Sequence, residues 1–180
     1  MNSPVPDLGT PDLAAFVRDV PDFPKPGVTF KDISPLLADP AATAAAVAAM
    51  AAPYKSDPPA AVLAVEARGF LFAVPVAAAL GCGVVPVRKP GKLPAATRSV
   101  SYDLEYGSDT LEVHADALTP GQKVLIVDDV LATGGTVAAA AELARAAGAE
   151  VAAAAFLIEL AFLNGRDKLP GVPVSAALTY

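Results

Sequence analysis

The strongest constraint on the fold of this chain is a rhythm. Three aliphatic runs rich in β-branched residues, Ala61 to Val65, Val84 to Val87 and Val124 to Val127, alternate with the helical stretches Phe70 to Leu80 and Val137 to Ala147. Strand, helix, strand at this spacing predicts parallel strands joined by right-handed crossovers. A further strand is expected at Val151 to Ile158, followed by the segment Glu159 to Leu169 and a short extended end from Val172. The fold class read from this pattern is α/β, an open, mostly parallel twisted sheet flanked by helices. With 180 residues and 54% hydrophobic content, the chain has enough material for one domain spanning residues 1–180.

Other segments depart from the rhythm. Thr10-Pro11-Asp12 reads as an N-cap with proline in the first turn, and Leu13, Phe16, Val17 and Val20 recur at helical spacing, so a short amphipathic helix is expected up to Pro21. Pro21 to Pro35 mixes prolines and a glycine with Phe23, Val28, Phe30 and Ile33, the pattern of an ordered, irregular segment. Asp39-Pro40 is expected to cap a helix over Ala41 to Ala52. RKPGKLPAATR, from Arg88 to Arg98, reads as a mobile basic loop with no part in the core. Ser99 to Tyr106 and Thr110 to His114 alternate around Gly107-Ser108-Asp109 as a hairpin does.

Charge narrows the function classes. A formal net charge of -6 argues against nonspecific nucleic-acid partners and anionic membrane surfaces, both of which attract excess Lys and Arg. Yet residues 67–102 carry Arg68, Arg88, Lys89, Lys92 and Arg98 and no Asp or Glu. Such a sector suits capture of a small anion, although an ordinary solvated face can carry the same cluster. Cys82 is the single cysteine, so no internal disulfide can form. The start lacks the basic and apolar regions of a secretory signal, and no apolar run approaches the roughly 18 residues of a membrane span, so the cytoplasm is the expected location. Alanine-rich helix surfaces make a second subunit a plausible partner.

The most informative stretch is VLIVDDVLATGGT, Val124 to Thr136. A buried-strand pattern leads into a predicted strand-to-helix loop, Asp128 to Thr136, at the carboxyl edge of the sheet, where open α/β sheets bind ligands. Gly134 and Gly135 let the backbone turn its amides inward, and Thr133 and Thr136 add hydroxyls beside a helix amino terminus that favours an anion. The terminal Lys-Ser/Thr of a Walker loop is missing, and no GxGxxG fingerprint occurs. Asp128 and Asp129 suit a different group, since carboxylates accept hydrogen bonds from adjacent sugar hydroxyls. A ligand with a vicinal diol near a phosphate, such as ribose 5-phosphate, satisfies both halves. A metal-binding acid pair or a capped ordinary turn would also fit these residues alone.

This constellation resembles the phosphoribosyltransferase family, whose ribose-phosphate motif is an aliphatic strand, two acids and a T-G-G-T loop. The resemblance extends over nearly the whole chain. PDFPKPGVTFKDISPLL at Pro21 to Leu37, EARGFLF at Glu66 to Phe72, RKPGKLP at Arg88 to Pro94, SYDLEYG at Ser101 to Gly107 and GRDKL at Gly165 to Leu169 are similar, in order and spacing, to the adenine-using branch of that family. It implies the type I fold of the family, with a flap hairpin and a small hood, the hood from about 21–37 and 159–180 and the flexible basic loop and hairpin from about 88–114.

The implied activity is transfer of ribose 5-phosphate from phosphoribosyl pyrophosphate to adenine, giving AMP and pyrophosphate in purine salvage, with Mg²⁺ held mainly by the substrate and no dedicated protein metal site. Relatives using hypoxanthine, guanine or xanthine, or a non-catalytic sensor of phosphoribosyl pyrophosphate, are the alternatives. A homodimer is implied.

By the same resemblance, Asp128, Asp129, Ala132, Thr133, Gly134, Gly135 and Thr136 bind the ribose phosphate. Arg68, Arg88, Lys89 and Lys92 bind pyrophosphate, with a non-proline cis peptide at Glu66–Ala67. Val28, Thr29, Lys31 and Leu160 contact the base, with Lys31 standing where many relatives carry arginine. Glu105 is the proton-handling carboxylate and Tyr106 a lid contact. A structural arginine beside a helix start is the competing account of Arg68.

Overall fold

The computed structural model describes residues 11–103 and 108–180. Its contacts divide the chain into two compact units, with the boundary between Ala46 and Val47.

In the first unit a single 3-10 turn, Leu13–Phe16, is capped by Asp12, whose carboxylate accepts the Ala14 amide at 3.1 Å. The chain then extends into β1 (Arg18–Pro21), which pairs antiparallel with β2 (Thr29–Asp32). The helix expected from Leu13, Phe16, Val17 and Val20 is therefore one turn long, and the reason lies across the strand pair. The register sets Arg18 opposite Asp32 and Asp19 opposite Lys31. Both form ion pairs, Arg18 Nε to Asp32 Oδ2 at 3.1 Å and Lys31 Nζ to Asp19 Oδ1 at 2.6 Å. Facing opposite charges, with β-branched Val17 and Val20 beside them, favour extended chain over helix.

The helix α1 (Ser34–Ala38) begins where Asp32 Oδ1 accepts the Ser34 amide at 2.9 Å and hydroxyl at 2.6 Å. The Ser34 hydroxyl and amide, with the Arg18 guanidinium, hold the Asp32 carboxyl at about 2. The helix α2 (Pro40–Ala51) starts as the sequence predicts, with Asp39 Oδ1 accepting the Ala42 amide at 2.8 Å.

The second unit is built on a parallel sheet. In chain order it contains β3 (Ala61–Val65), α3 (Gly69–Leu80), β4 (Gly83–Val87), β5 (Thr97–Asp103), β6 (Ser108–His114), β7 (Lys123–Leu131), α4 (Gly135–Ala146), β8 (Glu150–Glu159) and β9 (Val174–Thr179). Five of these strands form one sheet in the order β4-β3-β7-β8-β9, with every neighbouring pair parallel. The aliphatic runs are the reason. All of β3 is buried, and Val124 to Val127 are at most 1% exposed. Strands covered on both faces read as continuous apolar runs. Val137, Ala140 and Leu143 of α4, together with Leu111 and Val113 of β6, complete this core.

Chain direction then fixes where a ligand can sit. From β3 the chain crosses through α3 to β4, whereas from β7 it crosses through α4 the opposite way, to β8. The reversal between adjacent β3 and β7 opens a crevice beyond their carboxyl ends, the place where open α/β sheets bind ligands. Both the turn after Val65 and the turn after Leu131 meet there.

The strands β5 and β6 form the expected hairpin, with Asp103 paired to Ser108. Ser108 and Asp109 thus belong to β6 rather than to a turn, and residues 104–107, which join the strands, lie outside the described residues. The hairpin lies against α4, with Val100 and Tyr102 packed on the core. Its root is tied to the end of β4, where Arg88 and Glu112 exchange backbone hydrogen bonds of 2.9 and 2.7 Å. The basic segment from Arg88 is therefore pinned to the hairpin at its first residue and is a strand again from Thr97.

Candidate active site

The strand β7 runs past Val127 to Leu131, so Asp128 and Asp129 stand within the strand and not in the loop where the sequence pattern set them. The register explains this. The strand β8 is long enough to pair Asp128 with Phe156 and Leu131 with Glu159, which holds the acidic dipeptide extended. Only residues 132–134 separate the strand from α4. A hollow opens here, lined by Asp128 and by residues 130–137. Gly134 caps α4 in the left-handed conformation, at φ 80° and ψ -3°, which a glycine reaches without a Cβ penalty. The first helical bond runs from Ala138 N to Gly134 O at 3.0 Å. The amides of Gly135, Thr136 and Val137 therefore precede the helix's own ladder and carry its positive end.

The two acids have separate surroundings. Asp128 lines the hollow, and its Oδ1 accepts the Asp129 amide at 2.8 Å. It also lies close to α3, since a Cβ on Gly69 would meet Asp128 Oδ1 at 2.7 Å. Asp129 is 5% exposed and makes an ion pair with Arg68, Nε to Oδ2 at 2.7 Å. That approach is a charge contact and not an aligned hydrogen bond, because Asp129 Oδ2 has no hydrogen-bond partner. Burial pushes the Asp128 carboxyl well above the usual carboxylate range, and the neighbouring Asp129 charge adds to it. Asp129 is also raised by burial, with Arg68 opposing the rise. Asp128 is the more strongly raised of the two, while Asp129 answers the guanidinium.

The basic sector is less bare than residues 67–102 alone predict, because acids from elsewhere in the chain reach into it. Glu66 Oε2 accepts Arg88 Nε at 3.0 Å and the Lys89 amide at 2.9 Å, beside a cis Glu66–Ala67 peptide. Burial works to raise the Glu66 carboxyl, but the Lys89 amide and the Arg88 guanidinium outweigh it and hold it below its ordinary value. Lys89 Nζ meets Asp109 Oδ2 at 2.7 Å, and Gly91 N donates to Glu112 Oε2 at 3.2 Å. Arg88 also lies over the Phe70 ring, 5.7 Å from its centroid, and its Nη1 donates to the Lys92 carbonyl at 3.5 Å. Arg68, at the start of α3, Arg88 and Lys89 are thus cations already paired with carboxylates, while Lys92 contributes its carbonyl to Arg88.

Tyr102 and Asp109 are polar residues of this region that sequence reasoning missed. The Tyr102 hydroxyl lies 3.3 Å from Thr136 Oγ1 and donates to Asp109 Oδ2 at 3.4 Å, so the hairpin touches the glycine turn. The signal was present: in a strand, Val100 and Tyr102 share a face, and that face packs on the core.

Val28, Thr29 and Lys31 lie in and beside β2 of the first unit, with the Lys31 ammonium on Asp19, whereas Leu160 follows β8 in the second unit. Glu105 and Tyr106 lie outside the described residues. Among the described residues there is no group of three or more His, Cys, Asp or Glu side chains placed to hold a metal ion.

A parallel sheet whose switch point carries an acid-bearing strand and a glycine anion turn defines a class, and sequence comparison agrees with it. The phosphoribosyl transferase domain matches residues 33–169, and the chain belongs to the phosphoribosyltransferase family. Its relatives are narrower in kind. The chain is 56% identical over 169 residues to the adenine phosphoribosyltransferase of Desulfitobacterium hafniense, covering 94% of this chain and 98% of that one. The crystal structure of adenine phosphoribosyltransferase from Thermoanaerobacter pseudethanolicus superposes with a TM-score of 0.91 at 49% identity, covering 93% of this chain and 98% of that one. The enzyme of Saccharomyces cerevisiae, solved with adenine and an imino-altritol bisphosphate, gives 0.86 at 39% identity, covering 91% and 95%.

Proposed function

We infer that this chain transfers ribose 5-phosphate from phosphoribosyl pyrophosphate to adenine. The bond from the anomeric carbon to the pyrophosphate oxygen breaks, a bond to a ring nitrogen forms, and AMP and pyrophosphate leave as the base gives up a proton. The observation that carries this reading is the hollow lined both by Asp128 and by the residues that open α4. Asp128 and Asp129 serve the ribose hydroxyls, and Ala132, Thr133, Gly134, Gly135 and Thr136 hold the 5′-phosphate at the positive end of the helix.

Arg68, Arg88, Lys89 and Lys92 take the charge that develops on departing pyrophosphate. Val28, Thr29, Lys31 and Leu160 flank the base, Glu105 handles its proton, and Tyr106 closes over the site. The hood at about 21–37 and 159–180 belongs to the same proposal. Two desolvated carboxylates with raised affinity for a positive partner suit Mg²⁺ carried in by the substrate, with Asp128 and Asp129 facing it through water. Bound there, the ion would supply charge neutralisation for the leaving pyrophosphate.

A homodimer in the cytoplasm completes the proposal. Leu71 and Val74, 50% and 56% exposed and one turn apart on α3, offer an apolar contact for a second copy; a sedimentation mass of one chain at micromolar concentration would remove the dimer. The activity has a direct assay. Purified protein with adenine, phosphoribosyl pyrophosphate and Mg²⁺ yields AMP, while hypoxanthine, guanine and xanthine react poorly. Equal rates on all four bases would defeat the adenine assignment, and phosphoribosyl pyrophosphate binding without turnover would leave a sensor.

A further inference from the structure

The glycine turn has a floor. A Cβ on Gly134 would lie 2.3 Å from Gly165 O, and a Cβ on Gly165 would lie 2.3 Å from Ala132 O and 2.9 Å from Leu131 Cδ1. Backbone thus rests on backbone from Gly134 to Gly165 and from Gly165 to Ala132, with the Leu131 side chain packed beside them. Gly165 opens a 3-10 turn, Gly165–Lys168, and the next residue, Arg166, fixes that turn to the sheet. Its Nε and Nη2 donate to Glu159 Oε1 and Oε2, both at 2.6 Å, and its Nη1 donates to Val174 O at 3.0 Å. Glu159 is the last residue of β8 and is 6% exposed, so the fork is built into the sheet edge. Two parallel bonds between planar groups fix orientation as well as distance.

We propose that Glu159 and Arg166 are positioning residues for the phosphate turn: their fork sets the height of Gly165, and Gly165 sets the place of Ala132 to Gly134. This rests on the reading of residues 132–136 as the 5′-phosphate site. A loose fork lets the Gly165 turn drop, the amides at the start of α4 lose their alignment on the phosphate, and ground-state binding weakens. Because the phosphate is held alike before and during transfer, the loss falls on KM and not on kcat.

The test uses the full chain as Arg166→Gln and Arg166→Lys, with melting curves to establish the folded fraction. The KM for phosphoribosyl pyrophosphate and the Kd for AMP rise about tenfold, as loss of a supporting contact does, while kcat stays within roughly twofold. Arg166→Lys does not restore binding, since an ammonium keeps the charge but not the fork. Lys123→Gln, which removes the exposed pair with Asp57, is the comparison and leaves KM unchanged. Unchanged KM and Kd in folded Arg166→Gln, a fall in kcat alone, or full recovery in Arg166→Lys would each overturn the proposal. If Arg166→Gln does not fold, Glu159→Gln, which keeps the shape and one acceptor, is read by the same criteria. Wild-type protein that binds no AMP instead defeats the phosphate site itself.

Discussion

Asp128 is a residue placed against its own solvation. Burial and the adjacent Asp129 charge both raise its carboxyl, so the native state binds a proton there more tightly than the unfolded chain does. The sign follows from linkage: a carboxyl raised in the folded state favours folding below its unfolded value, and that contribution is lost as pH rises through the folded value. Asp128→Asn removes the titration. Its melting temperature will exceed that of the wild type at pH 8 by about 3 °C, the shift that roughly 1 kcal/mol gives a domain of this size, and the gap will close toward pH 4. The same variant will lose about tenfold in kcat/KM for phosphoribosyl pyrophosphate, as replacing one side-chain oxygen at the proposed ribose contact implies. A melting curve that falls below the wild type at pH 8 contradicts this account of the site.

The hairpin and α4 behave as one element of the site. The Tyr102 hydroxyl bridges Thr136 on the helix and Asp109 on β6, and Asp109 holds the Lys89 ammonium. Burial raises the Tyr102 hydroxyl above its ordinary value, which keeps it a donor at physiological pH. In Tyr102→Phe the ring still packs on the core while the bridge is gone, a loss of about 1 kcal/mol. Amide exchange across β5 and β6 will quicken severalfold while that of β3 and β7 stays slow. Equal protection in both proteins would show that packing alone holds the hairpin.

At the scale of the whole molecule, what was legible in the sequence was local. β3, β7, α3 and α4 announce themselves because aliphatic runs and a terminal glycine turn carry their signal within a dozen or so residues. β1 stayed hidden because its cause is a partner strand, and Arg18 meets Asp32 across 14 positions. The acids of the basic sector were hidden for the same reason, Arg88 to Glu66 spanning 22 positions and Lys89 to Asp109 spanning 20. Asp128 and Asp129 were found, but the length of β7 depends on pairing with β8, which no local pattern encodes.

Those distant acids also bear on turnover. Glu66 and Asp109 sit on Arg88 and Lys89, two of the four cations proposed for pyrophosphate. On the proposed reading, an arriving diphosphate would displace those carboxylates from Arg88 and Lys89. When it departs, the carboxylates would return to Arg88 and Lys89.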